Sequence, residues 1–228
     1  MKAAQKVFVA LDNMERDEVL AFLPKLSTKV GGIKIGLEMY LRFGRDFLLE
    51  AKRFFDGEIF LDLKLHDIPN TVAKAIHGLS GLPISFLNIH ASGGSAMMQA
   101  ALEAQQEALP RTTLLAVTVL TSLDDSETQS IYHTGRSDSF KRLLLEIEKV
   151  SGLGVVCSAA ELELIPNRAI VTMVPGIRFE HEISSGKIQD QKSVFTPEQA
   201  LEKGASFLVM GRSITRAPDL ERALSLLA

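Results

Sequence analysis

The chain has a single cysteine in 228 residues, Cys157. One thiol cannot close an internal disulfide, and its place in the apolar run 154–157 reads as a buried packing residue. No stretch approaches the roughly 20 apolar residues needed to cross a membrane. The first six residues lead at once into a short apolar segment, too brief for a signal sequence. Neither sign of charge dominates: 25 Lys and Arg stand against 28 Asp and Glu, and the basic residues form no dense run. That argues against a nucleic-acid footprint while leaving room for a local phosphate pocket. The glycine fingerprint of dinucleotide-binding folds is missing after the first apolar run. No Pro/Gly/Ser-rich linker or low-complexity tract divides the chain. The expectation is a soluble, cytoplasmic protein, one domain over residues 1–228, with no membrane and no nucleic-acid partner.

What is present is a large apolar fraction, 46%, and one unusual stretch, residues 58–71. Its first half reads as a strand with Ile59, Leu61, Leu63 and Leu65 on one face. Side chains alternate across a strand, so Phe60, Asp62 and Lys64 share the other. A helix predicted from Pro69 and Asn70 onward covers the aliphatic face, which turns the charged face toward whatever the sheet encloses. Two carboxylates and an ammonium, Asp62, Lys64 and Asp67, then lie within six residues. Such groups are costly to bury unless they pair.

The rest of the chain repeats this strand–helix alternation. Apolar runs predict strands at residues 7–11, 32–36, 60–65, 86–89, 113–120, 154–157, 169–174 and 206–210. Helical spacing predicts helices at 17–29, 38–55, 71–79, 140–150, 159–165 and 219–227, with an Ala- and Met-rich helix after Gly93-Gly94. Residues 121–139 read as a longer polar connection, and 177–195 as an irregular segment. Thr196-Pro197-Glu198-Gln199 has the pattern of a capping box with proline in the first turn. Eight strand–helix units predict an α/β fold, a single (β/α)8 barrel with its active site at the C-terminal ends of the strands; an open doubly wound sheet is the alternative.

Polar residues gather where such a barrel builds its sites. Asp12, Lys34, Asp62 with Lys64, Thr121, Pro175 and Arg212 fall at or near predicted strand ends. Helix capping explains one or two of them, but not two lysines and two aspartates among buried runs. Gly211-Arg212 closes the last strand, where barrels of this kind commonly hold a phosphate. The loop after strand seven, with Arg178, Lys187, Gln191 and Lys192, reads as a lid. His66 reads as a loop or packing residue and His90 as a core residue, since neither has the company a transition-metal site needs.

With these motifs assembled, the chain resembles the orotidine 5'-phosphate decarboxylase family over nearly its whole length. The resemblance is carried by the run to Asp12, by Lys34-Ile-Gly, and by Asp62-Leu-Lys64-Leu-His-Asp67-Ile-Pro-Asn-Thr71. Further on it is carried by Leu-Thr121-Ser122, Pro175-Gly-Ile-Arg178, Asp-Gln191-Lys and Gly211-Arg212-Ser-Ile. Leu65 stands where the family more often has phenylalanine. The resemblance implies decarboxylation of orotidine 5'-monophosphate to UMP, with no cofactor and no metal. It implies a homodimer with shared active sites, in which Asp67 and Thr71 reach into the partner's site. Lys34, Asp62, Lys64 and Asp67 would form an alternating charge network, with Lys64 as proton donor and Asp62 beside the departing carboxylate. Asp12 and Lys34 would bind ribose; Thr121, Ser122 and Pro175 would border the pyrimidine; Gln191, Gly211 and Arg212 would hold the phosphate, with Arg178 on the closing loop. A metal-dependent sugar-phosphate decarboxylase or epimerase on a similar barrel is the nearest rival, and a non-catalytic sensor of phosphorylated ligands is another.

Overall fold

The computed structural model describes residues 3–184 and 194–227. Eight parallel strands close into a barrel in sequence order: β1 (Val7–Ala10), β2 (Gly32–Gly36), β3 (Glu58–Leu65), β4 (Phe86–His90), β5 (Thr113–Val117), β6 (Gly154–Val156), β7 (Thr172–Val174) and β8 (Phe207–Met210), with β8 pairing back onto β1. Helices α1 (Arg16–Leu26), α2 (Leu37–Phe54), α3 (Pro69–Gly78) and α4 (Gly94–Ala108) follow the first four strands. The expected (β/α)8 architecture is what the chain adopts.

Strand alternation sorts the side chains into two cores. Val7, Val9, Ile59 and Leu61 pack outward against the helices, whereas Phe8, Ala10 and Phe60 point into the barrel. Inside, Phe8, Phe86 and Phe207 meet edge to face at centroid separations of 5.1–5.5 Å. Such pairs contribute about 0.5–1.5 kcal/mol each beyond their burial. This aromatic cluster fills the barrel beneath the charged strand ends. Gly32 makes room for it, because a Cβ there would lie 2.2 Å from the Phe8 ring.

Several boundaries differ from the sequence expectation, each for a local reason. β5 stops at Val117 instead of residue 120: the Thr118 N–H makes the last ladder bond, to the Val156 carbonyl, which the Thr118 hydroxyl also donates to, and pairing with β6 ends there. The polar connection beyond it contains α5 (Asp125–Tyr132), started by an Asp124–Glu127 capping box, and α6 (Arg136–Glu148). Strand seven starts only at Thr172, since Ile170 N–H is used in a turn to Asn167. Part of the expected irregular segment forms α7 (Glu180–Ser184). The helix after β6 is a 3-10 helix, Ala159–Leu164. Thr196 starts α8 (Pro197–Glu202) with the expected reciprocal capping box to Gln199. After β8 come α9 (Arg212–Thr215) and α10 (Leu220–Ser225). Among the described residues, no helix is long and apolar enough to cross a membrane.

Candidate active site

A cavity of about 570 Å³ opens at the C-terminal mouth of the barrel. Its wall includes Asp12, Lys34, Asp62, Lys64, Thr121, Pro175, Arg178, Gly211 and Arg212, nine of the expected site residues drawn from six strand ends or the loops after them. Ser122, beside Thr121, faces solvent outside the wall. Asp67 and Thr71 also lie outside it in the single chain: both are exposed around the start of α3, and Asp67 Oδ1 accepts from the Ile68 N–H at 2.7 Å. Gln191, with Lys187 and Lys192, falls outside the described residues.

At the cavity floor the charges alternate. Lys34, 7% exposed, donates to both Asp12 carboxylate oxygens at 2.7 and 2.6 Å, and its Nζ lies 3.6 Å from Asp62 Oδ2. Lys64 Nζ donates to Asp62 Oδ1 at 2.5 Å. Gly36 permits the first of these pairs, since a Cβ there would lie 2.8 Å from Asp12 Oδ1. Burial alone would raise the Asp62 carboxyl's pKa. The neighbouring Lys34 and Lys64 charges, with hydrogen bonds from Lys64 and Asn88, outweigh burial and hold the pKa below its ordinary value. The site therefore keeps Asp62 ionised although water scarcely reaches it.

Lys64 does not continue β3 as a regular strand residue. Its φ is +51°, in the left-handed region, and the β3–β4 register shifts between Leu61 and Leu65. Period-two alternation does not foresee this bulge, although the predicted assignment of charged and aliphatic faces holds. Sequence reasoning also missed Asn88. Wholly buried in β4, it donates from Nδ2 to Asp62 Oδ1 at 2.7 Å and accepts the Lys64 backbone N–H on Oδ1 at 2.7 Å. Its signal was available: an amide in the apolar run Phe86-Leu87-Asn88-Ile89 must find partners or cost free energy.

Two further residues shape the rim. Arg136, read from sequence only as part of a polar connection, donates to the Leu120 and Leu123 carbonyls at 3.0 and 2.9 Å. Its Nε pairs with buried Glu161 at 2.9 Å. Burial pushes the Glu161 carboxyl up, and the Arg136 charge opposes that shift. The clamp holds the loop carrying Thr121. Arg216 joins Arg178 and Arg212 in the cavity wall, which gives that side three guanidinium groups. His90 packs against His66 with ring centroids 5.2 Å apart; burial, then the nearby His66 and Lys64, lower its pKa to about 4. At neutral pH its imidazole is uncharged.

A family model, orotidine 5'-phosphate decarboxylase / HUMPS family, matches residues 5–226. A protein of Dichelobacter nodosus named orotidine 5'-phosphate decarboxylase is 42% identical over 223 residues, covering 96% of this chain and 95% of that one. One of Thermobifida fusca with the same name is 39% identical over 232 residues, 99% of this chain and 95% of the relative. The crystal structure of orotidine 5'-phosphate decarboxylase from Lactobacillus acidophilus superposes with a TM-score of 0.80 at 31% identity, over 97% of this chain and 96% of the other. That from Pyrococcus horikoshii, 20% identical, covers 97% of this chain and 96% of its own, with a TM-score of 0.75, and shares the fold.

Proposed function

This chain belongs to the orotidine 5'-phosphate decarboxylase / HUMPS family and is a carboxy-lyase of pyrimidine biosynthesis that decarboxylates orotidine 5'-monophosphate; we propose that it does so without a cofactor, with Lys64 as proton donor and Asp62 beside the departing carboxylate. The observation that carries this reading is the Lys64–Asp62 ion pair, 2.5 Å long, set beside the Lys34–Asp12 pair at the cavity floor. In the proposed step the bond from C6 to the carboxylate breaks heterolytically. CO2 leaves, the electron pair stays on C6, and a Lys64 N–H proton is transferred to that carbon, giving UMP. Lys64 then regains a proton from solvent.

The arrangement suits this chemistry because its charges stand in place before reaction. The Lys64 ammonium offsets negative charge as it develops at C6 and then acts as the acid. An ionised Asp62 next to the substrate carboxylate is a like-charge contact relieved as CO2 departs. Asp12 and Lys34 are suited to ribose hydroxyls, and Thr121 and Pro175 to the base; Ser122, outside the wall in the single chain, is assigned to the base on the family resemblance. Arg178, Gln191, Gly211 and Arg212 are suited to the phosphate, whose binding energy then fixes the reacting carbon. Asp67 and Thr71, exposed outside the cavity in the single chain, are assigned to the site of the second subunit of a homodimer. A cytoplasmic location and a single domain over residues 1–228 complete the proposal.

The family's name also covers HUMPS members, and the sugar-phosphate rival places a metal-holding carboxylate on strand two. Here that strand carries Lys34, whose ammonium lies between Asp12 and Asp62 and would repel a dication there. The test follows the ultraviolet absorbance of orotidine 5'-monophosphate with EDTA-dialysed protein, then repeats it with added Mg2+. Conversion to UMP at the same rate in both supports the proposal. Turnover only with Mg2+ counts against the cofactor-free mechanism, and nucleotide binding without turnover would favour the sensor.

A further inference from the structure

Asn88 does not itself line the cavity, yet its side chain is bonded to both members of the Asp62–Lys64 pair, which do. The orientation of its amide is dictated by its partners. A backbone N–H can only donate and a carboxylate can only accept, so Oδ1 must face Lys64 and Nδ2 must face Asp62. Flipping the amide would break both bonds at once.

The strand register shows why the amide is there. β3 pairs with β4 at Leu61–Leu87 and next at Leu65–Ile89, so four residues of β3 span the length of two in β4. Between those two pairs lie Asp62, Leu63 and Lys64, and Lys64 takes the left-handed conformation, with φ +51°. Such a bulge takes a backbone N–H off the regular ladder and re-aims the side chains around it. Asn88 fills the gap: its Oδ1 receives the Lys64 N–H, and its Nδ2 fixes one oxygen of Asp62. On its other side Asn88 pairs in regular register with Leu115 of β5, which anchors it.

We propose that Asn88 is the positioning residue of the catalytic pair, holding the β3 bulge so that the Asp62 carboxylate and the Lys64 ammonium are aimed at the same reacting carbon. The proposal rests on the decarboxylase reading for its kinetic effects, and on the geometry alone for its effect on Asp62. A residue that merely filled space could be replaced by an apolar side chain of similar size without harm to turnover. A positioning residue could not, because a small misalignment of the acid is magnified in the rate.

Two substitutions separate these cases. Asn88→Leu keeps the bulk and removes both hydrogen bonds; kcat falls by about 100-fold, the scale of one lost preorganised contact, while the Kd for UMP changes by less than about 3-fold. Asn88→Asp is titratable. When protonated, its carboxyl can accept from Lys64 N–H and donate to Asp62, as the amide does; when ionised, it opposes Asp62 at hydrogen-bond distance. The groups facing it are Asp62 and Lys64 on β3, Lys34 on β2, and His90 on its own strand with His66 against it; β5 contributes none. Its kcat/KM relative to wild type should therefore fall by at least about 10-fold from pH 5 to pH 9 as that proton is lost, with melting curves run alongside to confirm the fold. Wild-type kcat in Asn88→Leu, or a flat pH ratio for Asn88→Asp, overturns the proposal. Carbon-13 NMR of labelled aspartate carboxyls provides a readout free of turnover. Asn88→Leu should raise the Asp62 midpoint, and an unchanged midpoint overturns the proposal even if the wild-type chain fails to decarboxylate, which would refute the reading separately.

Discussion

Replacing Lys64 with alanine removes the proposed acid while leaving the rest of the cavity floor paired. Lys34 keeps both oxygens of Asp12 and stays 3.6 Å from Asp62, and Asn88 still donates to Asp62 at 2.7 Å. The cost in stability should therefore be modest. Breaking a fully buried pair costs about 3–5 kcal/mol, but the Lys64 side chain is 39% exposed and Asp62 retains other partners, so about 1–2 kcal/mol is expected here. In a chain of this size each kcal/mol moves the melting temperature by about 2–4 °C. Turnover should suffer far more. A general acid contributes about 10²–10⁴-fold and a preorganised charge at the reacting centre about 10²–10³-fold. Even with overlap between the two, kcat for Lys64→Ala should fall by about 10⁴-fold or more, an increase in barrier near 5 kcal/mol. Binding of UMP, which lacks the scissile carboxylate, should change by less than about 10-fold. The assay is the absorbance change of orotidine 5'-monophosphate at saturating concentration, with UMP titrated separately by calorimetry. A parallel loss of turnover and UMP affinity, or a kcat within about 10-fold of wild type, would refute the assignment of Lys64 as acid.

Other consequences follow from the same geometry. Because Lys64 sits at φ +51°, a non-glycine residue there pays about 1 kcal/mol; Lys64→Gly should melt no lower than Lys64→Ala while being equally inactive, and a clearly lower melting temperature would contradict the bulge. Arg136→Met leaves Glu161 buried without its cation and should cost about 3–5 kcal/mol, with a raised KM as the Thr121 loop loosens. Adding Glu161→Leu should recover most of that stability, and no recovery in melting curves would count against the clamp. The Asp62 carboxyl is held below its ordinary value of 3.8, so its contribution to stability is present above that pH and is lost as pH falls through the lower native value. Asp62→Asn should flatten the dependence of stability on pH below 3.8, measured by urea unfolding across acid buffers, and an unaltered acid limb would contradict the depressed ionisation.

The fold was legible because its signal is repeated: eight apolar runs separated by helical spacing leave little choice but a parallel sheet closed by helices. The site was legible where charge violates the pattern around it. Lys34 between two isoleucines and Asp62 with Lys64 on the inward face of β3 had to be paired, and they are. Less readable were features set by tertiary bonding. The end of β5 is set by where its pairing with β6 stops, at Val117–Val156, which nothing near Thr118 in sequence announces. α5 has a polar composition that periodicity passes over, and only its Asp124–Glu127 box marks its start. The bulge at Lys64 needs a side chain from the neighbouring strand, 24 residues away, to complete it. Asp67 and Thr71 belong to the motif yet stand outside the single chain's cavity, so the role proposed for them calls on a second subunit, which no local pattern can supply.

If a Lys64 ammonium, placed by Asp62, delivers the proton to C6, chemical restoration of that group in a variant that lacks it must restore turnover. Cys157 is the chain's only cysteine, wholly buried, and burial pushes its thiol well above the ordinary range, so it resists alkylation in the native state. Lys64→Cys places the one reactive thiol in the cavity wall. Alkylation with 2-bromoethylamine, which expels bromide and forms a thioether, rebuilds an ammonium at the reach of lysine; iodoacetamide adds a neutral group instead. Aminoethylation, verified as stoichiometric by mass, should raise kcat by at least about 100-fold over the unmodified variant, while the neutral adduct stays inactive. Equal rates for the two adducts, or no recovery after complete aminoethylation, would contradict it.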